Sequence, residues 1–168
     1  MAINVNTKQK IVKLPALKKK IARLRRQGYK IAFTNGCFDI LHWGHVQYLQ
    51  GAKKSGRILI VGLNSDRSVR KIKGPKRPIV NERERASVLA ALSCVDYVVL
   101  FNEETPINLI KGVNPDILIK GADWKNKGAV GGEYVKTNGG KIEYMKYIRG
   151  FSSTDIIKRI AKSVQNKR

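Results

Sequence analysis

Two histidines three residues apart are the residues of this sequence best suited to chemistry. His42 and His45 are the only histidines in the chain, and they follow shortly after Asn35-Gly36, a pair typical of tight turns. At the start of a helix, side chains three residues apart project from one face, and Gly44 between them leaves room for a bulky ligand. Backbone amides in such a turn bind anions. The pattern therefore predicts that the two histidines act together on a phosphate or another anion.

Other chemistries find less support in the residues around this pair. A zinc site needs a third or fourth ligand, and the sequence has neither an H-E-x-x-H motif nor a nearby pair of cysteines. Cys37 is a candidate nucleophile, although a small residue filling the end of a strand is the simpler interpretation. The sequence contains no G-x-x-x-x-G-K-[ST] loop, which excludes a P-loop enzyme. It also lacks G-x-G-x-x-G after the first predicted strand, which argues against NAD binding.

The elements that must position the histidines alternate between strands and helices. Short apolar runs predict strands at residues 29–34, 57–63, 95–101, 116–120 and 141–147. Helical spacing of apolar residues, with capping residues at the ends, predicts helices at residues 14–24, 44–54, 81–92, 105–112, 133–137 and 154–164. This order predicts an α/β fold, a doubly wound parallel sheet of about five strands in a single domain, residues 1–168. The ligand of such a sheet lies beyond the carboxyl ends of the strands, where the histidines are expected.

Two segments between these elements are predicted to be loops. Residues 67–80 are basic and contain one glycine and two prolines, so we expect a mobile loop that closes over bound ligands. Residues 121–132 are rich in glycine and contain Asp123 and Trp124. We predict that both segments border the ligand.

The composition limits the classes of partner. Of 168 residues, 34 are Lys or Arg and 12 are Asp or Glu, which gives a formal net charge of +22. A field of this sign attracts phosphorylated small molecules, acidic lipids and nucleic acids, so a basic nucleic-acid-binding protein is a distant alternative. The apolar runs are too short for a membrane span, no secretory signal is found, and Cys37 and Cys94 lack the spacing of a disulfide framework. A cytoplasmic location without a membrane partner is therefore expected.

The sequence around the histidines, GCFDILHWGH, resembles the nucleotide-binding motif of the HxGH nucleotidylyltransferases, a Rossmann-like superfamily. The similarity continues in the family's order over residues 61–68, 73–79, 85–92, 96–99, 120–124 and 151–156, so that a motif-bearing core spans about 14–160. TNGCFD, LNSD, KGPKRPI, TPINLI and PDILIKG are most similar to the heptose 1-phosphate adenylyltransferases. The resemblance implies transfer of AMP from ATP to D-glycero-β-D-manno-heptose 1-phosphate, with release of pyrophosphate, for the inner core of lipopolysaccharide.

The resemblance also implies roles for individual residues. His42 and His45 would be catalytic and would donate hydrogen bonds to the nucleotide phosphates. The residues expected to bind the nucleotide and its phosphates are Gly36, Cys37, Phe38, Asp39, Lys73, Arg77, Arg85, Ser152, Ser153 and Thr154. The candidates for contact with the ribose or the base are Asn64, Asp66, Gly121, Asp123 and Trp124.

Several of these residues also have a structural interpretation. Asp39 is equally suited to cap the second helix, and Arg85 could pair with a glutamate in the first turn of its own helix. Ser152 and the two residues after it are suited to N-cap the last helix, a role compatible with phosphate binding. Lys73 and Arg77 would otherwise belong to a solvated basic loop.

The resemblance implies a cofactor and partners as well. Mg²⁺ is expected to arrive with the nucleotide, held mainly by phosphate oxygens, and no protein ligand is assigned to it. The expected partners are ATP and a sugar 1-phosphate, a second copy of the chain in a homodimer, and a heptose kinase in a separate protein. Trp43 and the GADW segment at residues 121–124 also resemble the glycerol 3-phosphate cytidylyltransferases. Cytidylyl transfer to glycerol 3-phosphate or another alcohol phosphate is therefore the alternative activity.

Overall fold

The computed structural model describes residues 7–146 and 150–165, which contain a five-stranded parallel sheet. Its strands are β1 Lys30–Gly36, β2 Arg57–Asn64, β3 Tyr97–Phe101, β4 Ile117–Gly121 and β5 Lys141–Met145. The α-helices are α1 Leu14–Arg26, α2 Trp43–Ala52, α3 Asp66–Lys73, α4 Glu82–Ala91, α5 Ile107–Val113, α6 Gly132–Thr137 and α7 Ser153–Gln165. Short 3₁₀ helices lie at Thr7–Lys10 and Ala122–Trp124. None of these helices is long and apolar enough to cross a membrane.

Apolar side chains cover both faces of the sheet, which is why its strands are almost continuously hydrophobic in sequence. Alternate residues along a strand point to opposite faces. On one face, Ala32, Val61 and Ile119 pack against residues of α2 and α4. On the other face, Phe33 and Leu118 pack against residues of α1 and α5. The sheet is thus buried between two helical layers, and a ligand can reach it at the ends of the strands.

The strand order β3-β2-β1-β4-β5 places a switch point between β1 and β4. From β1 the chain builds outward through β2 and β3, and it then returns to the other side of β1 for β4 and β5. The connections that leave β1 and β4 therefore diverge. In parallel α/β sheets this divergence opens a crevice at the carboxyl ends of the two strands, and ligands bind there.

The predicted fold class is confirmed, and each predicted strand and helix has a counterpart with slightly shifted ends. Pro15 lies in the first turn of α1, as its fixed φ favours. Asn81 is the N-cap of α4, and its side chain accepts hydrogen bonds from the amides of Arg83 and Glu84 at 3.1 Å. The predicted end of the last strand, Tyr147, lies outside the described residues.

The prediction of a mobile loop at residues 67–80 is wrong for the first half of that segment. The helix α3 begins at Asp66, and its N-cap Ser65 accepts a hydrogen bond from the amide of Ser68 at 3.2 Å. Val69 is completely buried, which fixes α3 against the body of the protein. A serine followed by an acidic residue is a helix-start signal, but the basic residues, the glycine and the prolines after it favoured the interpretation as a loop.

Candidate active site

A cavity of about 570 Å³ opens at the carboxyl ends of β1 and β4. Its walls come from the turn after β1, the starts of α2 and α7, the end of α3 and the loops before α5 and after β4. Most of the predicted site residues line it, namely Gly36, Cys37, Phe38, Asp39, His42, His45, Asn64, Lys73, Arg77, Gly121, Trp124, Ser152, Ser153 and Thr154. A smaller cavity of about 260 Å³ adjoins it beside α2 and is also lined by Asp123.

The sequence analysis missed several residues that line the same cavity. They are Asn35, Tyr48, Ile72, Glu104, Thr105, Pro106, Lys120 and Val130. Lys120 had the clearest signal, because it is the single charged residue of the otherwise apolar strand β4. It is buried, its Nζ donates to Asn35 Oδ1 at 2.5 Å, and this nitrogen lies 5.9 Å from the centre of the Trp124 ring. Burial lowers the pKa of Lys120 to about 8.

The turn after β1 depends on two residues with left-handed backbone conformation. Phe38 has φ +45° and Ile40 has φ +51°, values that residues other than glycine rarely adopt. The expectation that Gly36 itself makes the tight turn is wrong, because this residue is still part of the strand β1. Its lack of a side chain matters instead, since a Cβ atom there would lie 3.1 Å from the Phe38 ring. Strained backbone of this kind is concentrated at functional sites.

His42 and His45 lie at the start of α2 with their rings stacked. The ring centres are 3.8 Å apart and the ring planes differ by 21°. Phe38 packs against His45 with its ring centre 5.2 Å away. The Nδ1 atom of each histidine is buried, and the part of the chain that the structure describes offers it no hydrogen-bond partner. A buried polar atom without a partner is costly, so a ligand that satisfies these rings would bind with an advantage.

Two residues of α2 keep the histidines in place. A Cβ atom at Gly44 would lie 3.1 Å from both His42 Cε1 and Phe151 Cβ, so a larger residue would displace one of them. Tyr48, one turn further along, fixes the helix to the sheet. Its hydroxyl lies 2.7 Å from the Thr34 hydroxyl and donates to the carbonyl of Ile119 at 3.2 Å. The position of the histidines is therefore set by the sheet below them.

Both imidazoles are neutral near pH 7 in the free protein. Burial lowers the pKa of His42, and burial together with the neighbouring His42 lowers the pKa of His45 to about 4. A bound phosphate acts in the opposite direction, because a nearby negative charge favours the protonated ring. The site is therefore arranged to gain positive charge when an anion binds.

Acid is expected to destabilise the folded protein through His45. The unfolded chain binds a proton at this residue near pH 6.5, whereas the folded chain does so only near pH 4. The free energy of unfolding should therefore fall as the pH decreases between these values, by up to about 1.4 kcal/mol per pH unit. Urea unfolding at pH 6.5 and pH 4.5 measures this loss, which should be smaller in His45→Gln. Equal losses in the two proteins would contradict the lowered pKa.

Asp39 holds the segment after α3 in place. Its buried carboxylate accepts hydrogen bonds from Arg77 Nε at 2.7 Å and from the amides of Ile79 and Val80 at 3.0 Å. Burial alone would raise the pKa of this carboxyl, but the Val80 and Ile79 amides and the Arg77 guanidinium hold it below its usual range. The alternative role as a helix cap is wrong, because His42 is the N-cap residue of α2. Asp39 thus positions the wall of the cavity that carries Arg77.

Arg85 is buried, and its guanidinium is engaged inside the protein. It donates to the carbonyls of Val80, Cys37 and Asn64 at 2.9, 2.5 and 2.9 Å, and it pairs with the Asp66 carboxylate at 2.7 Å. Because the described partner of Arg85 is Asp66, the alternative ion pair within α4 is wrong, whereas the phosphate contact stays a prediction. The Asp66 carboxylate accepts a hydrogen bond from Arg85, and its contact with a ribose stays a prediction. Arg85 therefore joins the ends of β1 and β2 beneath the site.

The surroundings of two further predicted residues, Asn64 and Cys37, indicate what each side chain can do. The side-chain amide of Asn64 donates to the hydroxyl of Ser68 at 2.9 Å while it lines the cavity. Burial raises the pKa of the Cys37 thiol, so the thiol stays protonated at neutral pH. Because the thiolate is the nucleophilic form, this shift disfavours Cys37 as a nucleophile.

The start of α7 contributes the predicted Ser152, Ser153 and Thr154. The hydroxyl of Ser152 accepts a hydrogen bond from the amide of Asp155 at 3.0 Å, which confirms its predicted capping role. The hydroxyl of Ser153 donates to the carbonyl of Asp39 and so ties α7 to the turn after β1. The amino end of this helix has partial positive charge and borders the cavity, where it would attract an anion.

The cavity carries more positive than negative charge. Lys73, Arg77 and Lys120 line it, as do the carboxylates of Asp39 and Glu104. Asp39 is already paired with Arg77, which leaves an excess of cations facing the interior. Within residues 7–146 and 150–165, no group of three or more His, Cys, Asp or Glu side chains could hold a metal ion. The arrangement is suited to bind and position an anionic ligand.

Comparison with known proteins adds independent information. A family model described as cytidylyltransferase-like matches residues 33–159. The chain is 53% identical over 154 residues to the bifunctional protein HldE of Citrifermentans bemidjiense. The matched residues make up 92% of this chain and 32% of that protein. It is 54% identical over 151 residues to the HldE protein of Helicobacter pylori strain Shi470, covering 90% of this chain and 32% of the relative. The chain therefore spans about a third of the length of the curated relatives it matches.

A solved structure is similar over most of the chain. It is the crystal structure of a lipopolysaccharide core biosynthesis protein from Thermoplasma volcanium GSS1, with 30% sequence identity and a TM-score of 0.59. The similarity covers 72% of this chain and 98% of that one. The matched family segment begins within β1 and ends within α7, so it includes both histidines and the start of α7.

Proposed function

The chain belongs to the cytidylyltransferase-like family of nucleotidyltransferases, and we propose that it transfers AMP from ATP to D-glycero-β-D-manno-heptose 1-phosphate. The products would be ADP-heptose and pyrophosphate. The observation that carries the proposal is the stacked pair of histidines, each with a buried Nδ1 atom, in a cavity with excess positive charge. Nucleotidyl transfer requires the positioning of two anions and stabilisation of the charge that develops between them. The cavity offers groups for both tasks.

In the proposed reaction, an oxygen of the sugar 1-phosphate attacks the α-phosphorus of ATP in line with the leaving group. A new P–O bond forms as the bond to the β-phosphate breaks, and pyrophosphate leaves with the electron pair. His42 and His45 would hydrogen-bond the α- and β-phosphates, and the backbone amides at Cys37 and Phe38 would support them. The amino end of α7 would hold the β- and γ-phosphates.

We include Mg²⁺ in this proposal as part of the nucleotide substrate. It would be held mainly by oxygens of the triphosphate, as is usual for this ion. The donor set of the cavity is compatible with this arrangement, because the Asp39 carboxylate is occupied by Arg77 and two backbone amides. When bound, Mg²⁺ would offset the negative charge of the leaving pyrophosphate.

The relatives favour a sugar phosphate as the acceptor. The curated relatives are described as bifunctional HldE proteins, and the similar structure as a lipopolysaccharide core biosynthesis protein. The chain spans only about a third of the length of those relatives, so what they do as whole proteins enters here as a proposal. We propose that a heptose kinase supplies the heptose 1-phosphate. The proposal also includes a homodimer that acts in the bacterial cytoplasm, where ATP is abundant.

The substrate assignment leads to a prediction about turnover. We expect ATP with D-glycero-β-D-manno-heptose 1-phosphate to give the highest kcat/KM. CTP with glycerol 3-phosphate should be at least about tenfold worse, a difference of about 1.4 kcal/mol in transition-state binding. Measurement of pyrophosphate release, with each of the four nucleoside triphosphates crossed against both acceptors, tests this directly.

The other outcomes of that experiment are equally informative. A higher kcat/KM for CTP with glycerol 3-phosphate would overturn the heptose assignment and leave the family and the histidine roles in place. Release of pyrophosphate by no pair, together with salt-dependent binding of nucleic acid, would favour the nucleic-acid alternative that the charge of +22 raises.

A further inference from the structure

Lys120 is a buried lysine to which the proposed reaction assigns no role. The residue is only 6% exposed, yet it lines the cavity. The one hydrogen bond that it makes among the described residues goes to a neutral group, Asn35 Oδ1, at 2.5 Å. No carboxylate of the described chain lies within ion-pair distance of it, whereas Arg77 and Arg85 each have one. An ammonium group has three donors, so Lys120 has donors left for a ligand.

Packing alone does not account for a lysine at this position. Burial of a charged group without a charged partner is unfavourable, and an apolar residue of similar length would fit the end of β4 at lower cost. The three residues before Lys120 in β4 are apolar and buried, which indicates that packing within the strand favours apolar side chains. A favourable interaction with a bound anion would offset the unfavourable burial.

The alternation of β4 places Lys120 on a different side of the sheet from the histidines. Ile119 belongs to the apolar cluster beneath α2, the helix that begins with the histidines. Leu118 belongs to the cluster on the opposite face, with α1 and α5. Lys120, two residues after Leu118, shares that second face. The loop before α5 lines the same cavity with Thr105 and Pro106.

The cavity therefore has two parts that are suited to bind anions. The start of α2 and the start of α7 offer the histidines and the serines to one polyanion, and Lys120 offers its ammonium from the opposite face of the sheet. Lys73 and Arg77 line the cavity on the side of α3 and the loop after it. Lys120 borders only the larger cavity and Asp123 only the smaller one beside α2, while Trp124 borders both. A reaction between two anions needs a cation near the second of them.

We propose that Lys120 binds the phosphate of the acceptor substrate and, held by Asn35, directs its attacking oxygen towards the α-phosphate. This inference rests on the proposed function, because it assigns the acceptor to the part of the cavity opposite the histidines. The ammonium reduces the repulsion between the acceptor phosphate and the triphosphate. Asn35 positions the ammonium by accepting one of its three hydrogen bonds, and the remaining two are directed to phosphate oxygens.

The test compares Lys120→Met and Lys120→Arg with a matched control, Lys125→Met, which alters an exposed lysine after the same strand. We expect kcat/KM for the acceptor to fall about 100-fold in Lys120→Met, mainly through a higher KM, and to recover in part in Lys120→Arg. The affinity for a non-hydrolysable ATP analogue, measured by calorimetry, should change by less than about threefold. Lys125→Met should resemble the parent protein in both measurements.

The outcomes separate this inference from its competitors. An equal loss of affinity for the ATP analogue in Lys120→Met would assign Lys120 to the nucleotide and overturn the proposal. An unchanged acceptor KM would overturn it as well. Urea unfolding serves as the fold control, and we expect Lys120→Met to be at least as stable as the parent. A markedly less stable variant would show a structural role and count against the proposal.

Failure of the proposed function would be recognised separately. If the parent protein released no pyrophosphate with heptose 1-phosphate, the substrate assignment would fail, but Lys120 could still be tested. Calorimetry would then measure the binding of glucose 1-phosphate and glycerol 3-phosphate to the parent and to Lys120→Met, each saturated with the ATP analogue. Weaker binding in the variant would support the phosphate contact, and equal binding to both proteins would overturn it.

Discussion

Replacement of His45 by alanine is expected to lower turnover by about 10²–10³, or about 2.7–4 kcal/mol of transition-state stabilisation, and His42→Ala should do the same. The rings of these residues are stacked at 3.8 Å, and the buried Nδ1 of each has no hydrogen-bond partner in the described part of the chain. In the proposed reaction these groups would contact the phosphates where charge develops during transfer. Steady-state rates of pyrophosphate release with ATP and heptose 1-phosphate measure the effect.

The fold should survive both substitutions. Removal of either imidazole also removes a buried nitrogen that has no hydrogen-bond partner among the described residues, so the stability lost is mainly that of side-chain packing. Gln50→Ala, an exposed change on the same helix, is the matched control and should keep the parent turnover. A histidine variant that kept near-normal turnover would remove that residue from the catalytic assignment. If an alanine variant lost turnover because it unfolded, the test would be repeated with asparagine at the same position.

Replacement of Arg85 by methionine is expected to lower the free energy of unfolding by about 3–5 kcal/mol. The guanidinium donates hydrogen bonds to the carbonyls of Val80, Cys37 and Asn64 and to the carboxylate of Asp66. All four acceptors would lose this donor in the variant. Arg85→Lys keeps the charge but cannot reach four acceptors at once, so we expect an intermediate loss. Urea unfolding at neutral pH measures all three proteins.

Arg83→Met is the control for this prediction, because Arg83 lies on the same helix but is exposed, and it should change stability by less than about 0.5 kcal/mol. If Arg85→Lys unfolded like the parent but bound ATP much more weakly, the result would contradict a purely structural role and support the phosphate contact that the sequence resemblance implies.

Several features of the site follow from local sequence alone. The strand of apolar residues before Asn35-Gly36 and the helical spacing of His42 and His45 predicted that the pair lies at the start of a helix after β1. The alternation of strands and helices predicted the parallel sheet, since parallel neighbours need a crossover between them. The capping by Asn81 and Ser152 was also readable, because a cap involves residues only a few positions apart.

The partners of the buried charges were decided only by the tertiary structure. Asp39 binds Arg77 and the Ile79 amide about forty residues later, Arg85 binds the Asp66 carboxylate, and Lys120 reaches Asn35 from a strand far along the chain. No periodicity in the sequence records such pairs, since any carboxylate suits any guanidinium until the fold fixes their distance. The sequence thus determined where the strands of the sheet form and which residues follow their carboxyl ends. Burial then selected which charged groups hold the walls together and which remain for a ligand, because a charge removed from water must find a partner in the protein or in what it binds.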